Sequence, residues 1–435
     1  MNKNKKKYVT PSRKKYDFTS SDEISDSYQN ALMSSLVVLS NNKNRNTSDN
    51  DDSEKKPTKS RINFVKKLLD GNKLKPMVDF DNFDTESATN TKLNKRIMDV
   101  REQFMSMNVK LRYLKSGTTG HTFKAISKKD KNVAFAVKVV AYPKDDDYGG
   151  MNNLSRPENA ELRMLKLLSY FVVKKNTPHF VLPIGTFNTS ITDFINVPKN
   201  IIDLSDEKNE MYKKFVERYY DGEFEDFVSV LIIEWCNGGD LLDYIRKNYA
   251  SMTLKHWIII IFQILFTLAR VHQDYPSFRH NDMKANNILV QITDIKKNQP
   301  KSYYCYKIDN TEFYIPDINL QIKIWDFDFA CIDGIISNNK VNSDWTNKIN
   351  ITKKENKYYD MHYFFNTLIS KRFFPQFYDG GAPPEIVEFV HRIIPDNFRN
   401  GSKYINKKGR ILVDVEYTTP YKIILEDPLF KKYRF

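Results

Sequence analysis

The stretch Phe278–Val290, "FRHNDMKANNILV", sets a carboxylate (Asp282), a lysine (Lys284) and a pair of asparagines (Asn286, Asn287) directly ahead of the apolar run Ile288-Leu289-Val290. A turn accounts for the asparagines and a buried strand for the tail. Neither calls for Asp282 and Lys284. Those side chains have the makings of phosphoryl transfer, which needs positioning, in-line attack and charge neutralisation but little covalent chemistry from the protein. Asp282 can accept a proton from, or orient, an incoming hydroxyl. Lys284 can neutralise charge on the moving phosphoryl group, and Asn287 can offer a carbonyl oxygen to a metal. Asp326, at the end of "IKIWD", is a harder oxygen ligand of the kind Mg²⁺ prefers.

Towards the N-terminus, "VKLRYLKSGTTGHTFKAIS" reads as strand, glycine turn, strand, and "NVAFAVKVVAY" as a third, β-branched strand. Gly117 and Gly120 in that turn let backbone approach an anion closely, although glycines between strands are more often plain turns. Lys138 lies between Val137 and Val139, a position that ordinarily faces away from a core. If it faces inward it needs a carboxylate, because an unpaired buried ammonium is costly. Glu161, on the helix-patterned "RPENAELRMLKLLSYFV", is placed to supply one.

The rest of the chain divides by texture. Residues 1–94 are rich in Lys, Ser, Asn and Asp, and are expected to form a basic, mostly disordered tail whose removal leaves catalysis intact. Its "SSDEISDS" cluster reads as solvated tail. Order is expected from Ile97 onward. Residues 95–236 form a strand-rich half with a polar, partly helical insertion at 188–226. Gly238-Gly239 looks like a hinge to a helical half, 237–435, with a hairpin insertion at 291–322 turning near Asp309-Asn310. The apolar run Trp257–Leu268 is too short to span a bilayer and reads as a buried helix.

Composition narrows the function. A hydrophobic content of 40% over 435 residues supports a sizeable core, and a formal charge of +14 suggests an anionic partner. Cys236, Cys305 and Cys331 are too few and too scattered for a disulfide framework or a zinc site. With no recognition-helix motif either, a specific nucleic-acid partner is not expected. The N-terminus has no apolar signal core, which points to a soluble, intracellular protein.

Taken in order, these motifs resemble the protein-kinase superfamily, from about Leu114 to the C-terminus. "LKSGTTGHTFKA" looks like the glycine-rich loop, "AVK" gives the strand-3 lysine Lys138, and "ELRML" gives its helix partner Glu161. "HNDMKANN" is similar to the loop His-Arg-Asp-x-Lys-x-x-Asn, and "DFD" stands where Asp-Phe-Gly is expected. The resemblance implies an α+β, bilobal kinase-like fold, with a strand-rich N-lobe and a helical C-lobe. It implies Asp282 as catalytic base, Lys284 as phosphate contact, and Asn287 and Asp326 as metal ligands. It also implies ATP contacts from Leu114, Gly117, Gly120, Thr122, Lys138 and Glu161, from the hinge backbone at Glu234 and Cys236 beside the gatekeeper Ile233, and from Asp240 near the ribose. ATP with Mg²⁺, or Mn²⁺ in its place, is the implied cofactor set. Asp360 in "YYDMHYFFNTL" resembles the anchor of the catalytic loop.

Departures narrow the resemblance. Lys115 replaces the first loop glycine, Asn281 the catalytic-loop arginine and Asp328 the glycine of Asp-Phe-Gly. No Ala-Pro-Glu lies between Asp326 and Asp360, and the "APPE" at Ala382–Glu385 reads as a helix start instead. The short, atypical activation segment suggests constitutive activity. The loop, "RHNDMKANNILV" and "IWDFDFA" together look like the poxvirus serine/threonine protein kinase 2 family. That implies phosphorylation of viral structural and membrane proteins early in virion morphogenesis, with residence in host cytoplasm and in virions. It also implies contact with host endoplasmic-reticulum and early-secretory membranes. The competing expectations are a catalytically weak kinase-fold scaffold and a small-molecule phosphotransferase. Oligomeric state is not legible.

Overall fold

The computed structural model describes residues 55–435 apart from 91, 94, 118–119, 146, 294–301 and 342. The acidic serine cluster, the start of the tail and the Thr118-Thr119 tip of the glycine turn lie outside the described residues.

Five strands, β1 (Val109–Ser116), β2 (His121–Ser127), β3 (Ala134–Pro143), β4 (Pro183–Ser190) and β5 (Phe224–Glu234), form an antiparallel sheet in the order β1-β2-β3-β5-β4. Side chains alternate across a strand, so register decides which face each one joins. Phe135, Val137 and Val139 join the outer cluster with Phe123, Val230 and Ile232. The residues between them go to the other face. Ala136 opposite Ile233, and Lys138 opposite both Thr122 and Leu231, point toward the helical half. That parity turns Lys138 inward.

The chain before the sheet does not behave as a free tail. Helix α1 (Lys55–Leu69) buries Val65 and Leu69 in the outer cluster, where Leu74 joins them. Val78, Phe83 and Ala88 form a smaller buried group against Tyr170. Order therefore reaches well before Ile97, and the predicted 1–94 tail is wrong from residue 55 onward. The physical reason is that apolar islands too sparse for a core of their own complete one supplied by the sheet.

Helix α2 (Pro157–Val173) carries Glu161 on a face packed against the sheet, with Pro157 at its first turn. The predicted insertion is shorter than 188–226, because β4 and β5 continue pairing as far as Ser190 opposite Phe227. Between them lies α3 (Glu210–Tyr220), which buries Tyr212, Phe215 and Val216.

The helical half is built around α4 (Leu254–Asp274), whose residues Trp257–Phe266 are buried along their whole length in the main core. It is a core helix, as its apolar run suggested. Strands β6 (Ile288–Ile292) and β7 (Leu320–Ile324) pair antiparallel, and the excursion between them carries a hairpin, Tyr303–Ile308 with Thr311–Pro316. Asp309, at φ +51°, makes its turn as expected. Helix α5 (Tyr359–Leu368) is buried throughout, and α6 (Pro384–Ile393) begins at the "APPE" stretch.

Candidate active site

Lys138 is the pivot. Its ammonium is almost wholly buried and donates to Glu161 Oε1 at 2.6 Å and Asp326 Oδ1 at 2.8 Å. One charge thus ties β3 to α2 and to the far half of the molecule. Burial alone would push Lys138 down, yet Asp326 and Glu161 together hold it above its ordinary value. Burial raises Asp326 too, but the lysine prevails and keeps it ionised, with His280 and Lys284 adding to the effect. Glu161 is the costly member. Burial raises its carboxyl more than Lys138 lowers it.

Asp282 and its neighbours converge as the spacing suggested. Lys284 Nζ donates to Asp282 Oδ2 at 2.7 Å. Asn287 Nδ2 donates to the same oxygen at 3.0 Å and to the Asp282 carbonyl at 2.9 Å. With its Nδ2 spent on Asp282, the side-chain carbonyl oxygen of Asn287 is the atom left to accept or to ligate. The loop is registered against Asp326 by Trp325 N–H donating to Asn287 O at 3.2 Å, and by His280 Nε2 bonding Trp325 O at 3.0 Å. Asp360 accepts from the backbone N–H of His280 at 2.7 Å and of Asn281 at 2.8 Å. It anchors the loop to α5, as its motif implied.

The residues expected to contact nucleotide are placed as follows. Gly120 packs so closely on β3 that a Cβ there would sit 2.8 Å from the Val139 carbonyl, so the turn tolerates no side chain at that position. Gly117 N–H donates to Gly120 O at 2.8 Å. Thr122 shares the inward face with Lys138, and Leu114 is partly exposed on β1. Cys236 is buried, and Asp240 caps helix Leu241–Asn248 through Asp243 N–H, 3.8 Å from Lys115. Direct contacts thus join Lys138, Glu161 and Asp326 in one cluster and Asp282, Lys284 and Asn287 in another, with the Trp325–Asn287 backbone bond linking the two.

Several supports were not legible beforehand. Arg61 of α1 donates from Nε to Glu234 Oε2 at 2.8 Å and bonds the carbonyls of Pro178 and Phe180 at 2.9 and 2.6 Å. Burial would raise Glu234, but Arg61 reverses that and holds the carboxyl below its usual value. His121, beside the glycine turn, bonds Ser116 Oγ at 2.7 Å and packs against Phe215 and Tyr212 of α3 with centroids 4.3 and 4.5 Å away. Burial pushes it down to about 3. Arg410, from a loop far along the chain, ion-pairs with Asp282 Oδ1. Arg61 and Arg410 carried no motif, and only the fold brings them here.

The segment after Asp326 is held by aromatic contacts, an ion pair and side-chain bonds to its carbonyls. Phe327 is buried against His280 and Phe180, and Asp328 ion-pairs with Lys340. Asn281, at φ +62°, donates to the carbonyls of Phe329 and Thr352, both at 3.1 Å. Arg279 stacks on Tyr359 at 3.8 Å and bonds Asn350 O at 2.7 Å and Thr352 Oγ1 at 2.8 Å.

A lysine buried between a helix carboxylate and an aspartate of the opposite half, facing a loop of Asp, Lys and Asn, defines a phosphotransferase of the protein-kinase fold. A profile of the protein tyrosine and serine/threonine kinase family matches residues 210–346. A protein of Acanthamoeba polyphaga mimivirus that carries a serine/threonine-protein kinase name is 64% identical over 435 residues, spanning 100% of this chain and 91% of that relative. A second protein of that virus, similarly named, is 41% identical over 91 residues, 21% of this chain and 22% of its own. A Dictyostelium discoideum protein, also named as such a kinase, is 30% identical over 143 residues, 32% of this chain and 11% of that protein. The chain belongs to the protein kinase family and is a serine/threonine-protein kinase, an enzyme that uses ATP and a divalent metal.

Proposed function

We propose that Asp282 is the base that receives the proton of a serine or threonine hydroxyl, and that Lys284 meets the negative charge of the transferring phosphoryl group. Lys138, held by Glu161, contacts the phosphates nearer the nucleoside. Gly117 and Gly120 cover the triphosphate. Leu114, Thr122 and the backbone of Glu234 and Cys236 hold adenine, and Asp240 lies near the ribose. Asn287 and Asp326 hold Mg²⁺, for which Mn²⁺ can substitute; when bound, it neutralises phosphate charge and aligns the leaving group. The observation that carries this reading is the single Lys138 ammonium shared by Glu161 and Asp326, with Trp325, the residue before Asp326, bonded through its backbone N–H to Asn287 of the Asp282 and Lys284 cluster.

Within the family, the reading nearest the chain's motifs is that of the poxvirus serine/threonine protein kinase 2 enzymes. Its substrates on that reading are viral structural and membrane proteins, modified at an early stage of virion morphogenesis. Its place is the host cytoplasm, at early-secretory membranes, and then the virion. A relative from a virus supports the setting.

The test is transfer of labelled phosphate from ATP to whole-particle proteins, followed by phosphosite mapping. Asp282→Asn is expected to lower kcat roughly 10²–10⁴-fold while nucleotide binding persists. Near-normal turnover by that variant would remove Asp282 from its role, and label on lipid or small alcohols alone would remove the protein substrates.

A further inference from the structure

Asn281 stands where the catalytic loop of a kinase carries an arginine, yet the loop does not lack a cation at that point. The Arg410 guanidinium reaches it through space. One nitrogen ion-pairs with Asp282 Oδ1. The other bonds the Asn281 carbonyl and lies 3.0 Å from the Tyr359 hydroxyl. The Arg410 side chain is 5% exposed, and its Cζ sits 4.1 Å over the Tyr363 ring. Tyr359 and Tyr363 are one turn apart on α5, the helix that also presents Asp360 to the loop backbone.

The loop that delivers Arg410 is built to hold still. Ile405 bridges Ile411, Asn406 N–H donates to Arg410 O at 2.9 Å, and Gly409 turns at φ +86° with its carbonyl taken by Asn366 Nδ2 at 2.8 Å. The following residues clasp the segment that leads from Asp326 into α5. Asn350 Nδ2 bonds Ile411 O at 2.9 Å, Asn356 Nδ2 bonds Asp414 Oδ1 at 3.0 Å, and Lys354 pairs with Asp414 at 2.7 Å.

We propose that Arg410 is a positioning residue for phosphoryl transfer. It fixes the Asp282 carboxylate in the rotamer that meets the acceptor hydroxyl. A carboxylate without it can swing about its side-chain torsions. With Lys284 and Asn287 on one oxygen and Arg410 on the other, the group is held at both ends. Each oxygen has a second lone pair, so Oδ1 can still accept the hydroxyl proton. The strap at 404–416 thereby couples two tasks, holding the segment after Asp326 and aiming Asp282. This rests on Asp282 being the base.

The experiment compares wild type with Arg410→Met, Arg410→Lys and Asp282→Asn, measuring kcat and KM on a protein substrate and the binding of a fluorescent ATP analogue. Misplacing a reacting group by about 1 Å costs about 10²-fold. That is the expected fall in kcat for Arg410→Met, with analogue affinity within about twofold of wild type. Arg410→Lys, which keeps the charge but not the fork, is expected to recover part of the loss. A kcat for Arg410→Met near that of wild type, with Asp282→Asn inactive, would overturn the proposal. So would a rise in kcat, which would make the contact a brake. Parallel loss of nucleotide binding with no rescue by lysine would reduce Arg410 to a structural part. Activity retained by Asp282→Asn would instead strike the reading of the base.

Discussion

At the residue scale, the site is organised by shared charges. Lys138 is affordable inside the protein only because Glu161 and Asp326 accept from it, and this requirement draws the sheet, the helix and the opposite half together. The same logic operates at Arg61 and Glu234, both largely buried behind the hinge. Arg61→Ala strands a buried carboxylate and is expected to destabilise the fold on the order of 3 kcal/mol near neutral pH. The sign with pH follows from the lowered folded-state value of Glu234. The pair stabilises fully above the carboxyl's unfolded value, and its contribution is lost as pH falls through the folded one. Denaturant melts should therefore separate wild type from Arg61→Ala at pH 7 and bring them together as pH falls below the ordinary carboxylate range. A gap independent of pH would mean that Arg61 acts by packing alone.

At the scale of elements, the insertion between β4 and β5 has a mechanical task. Its helix α3 presses Tyr212 and Phe215 on His121, the residue that follows Gly120. The start of β2, next to Gly120, is thus backed by two tilted aromatic rings. Phe215→Ala should cost about 3–5 kcal/mol of stability. It should also raise KM for ATP more than it lowers kcat if, as proposed, the neighbouring glycines cover the triphosphate. Steady-state kinetics beside a urea melt would check both. An unchanged KM would leave α3 as packing only. The hairpin at Tyr303–Pro316 was readable in advance, because two β-patterned runs flank Asp309-Asn310. The contact of α3 with the glycine turn was not, since nothing in "EMYKKFVERYY" names its partner.

At the scale of the whole molecule, residues 55–94 contribute to the core. Val65, Leu69, Leu74 and Val78 are all buried, and each contributes roughly 1.5–3 kcal/mol. Removing residues 1–94 is expected to lower the melting temperature by roughly 10 °C or more and to reduce activity with it. A truncated protein with the melting point and turnover of the full chain would refute this. The sequence misled here because Lys- and Asn-rich composition was averaged over the whole stretch. The sparse apolar residues of α1 look like islands in one dimension and complete a cluster in three.

The amino-acid sequence by itself determined the kinase fold and named the two charged clusters that the structure brings together. Asp282, Lys284, Asn287, Lys138, Glu161 and Asp326 lie in local patterns whose spacing a loop or strand cannot vary without losing the chemistry. Tertiary structure alone decided the supports: Arg61 on Glu234, α3 on His121, Arg410 on Asp282. A buried arginine must be paired, but its sequence neighbourhood says nothing about the carboxylate that will pair with it. That choice belongs to the packing of the helices and loops that carry the two, more than a hundred residues apart in both cases, and is made only when they meet.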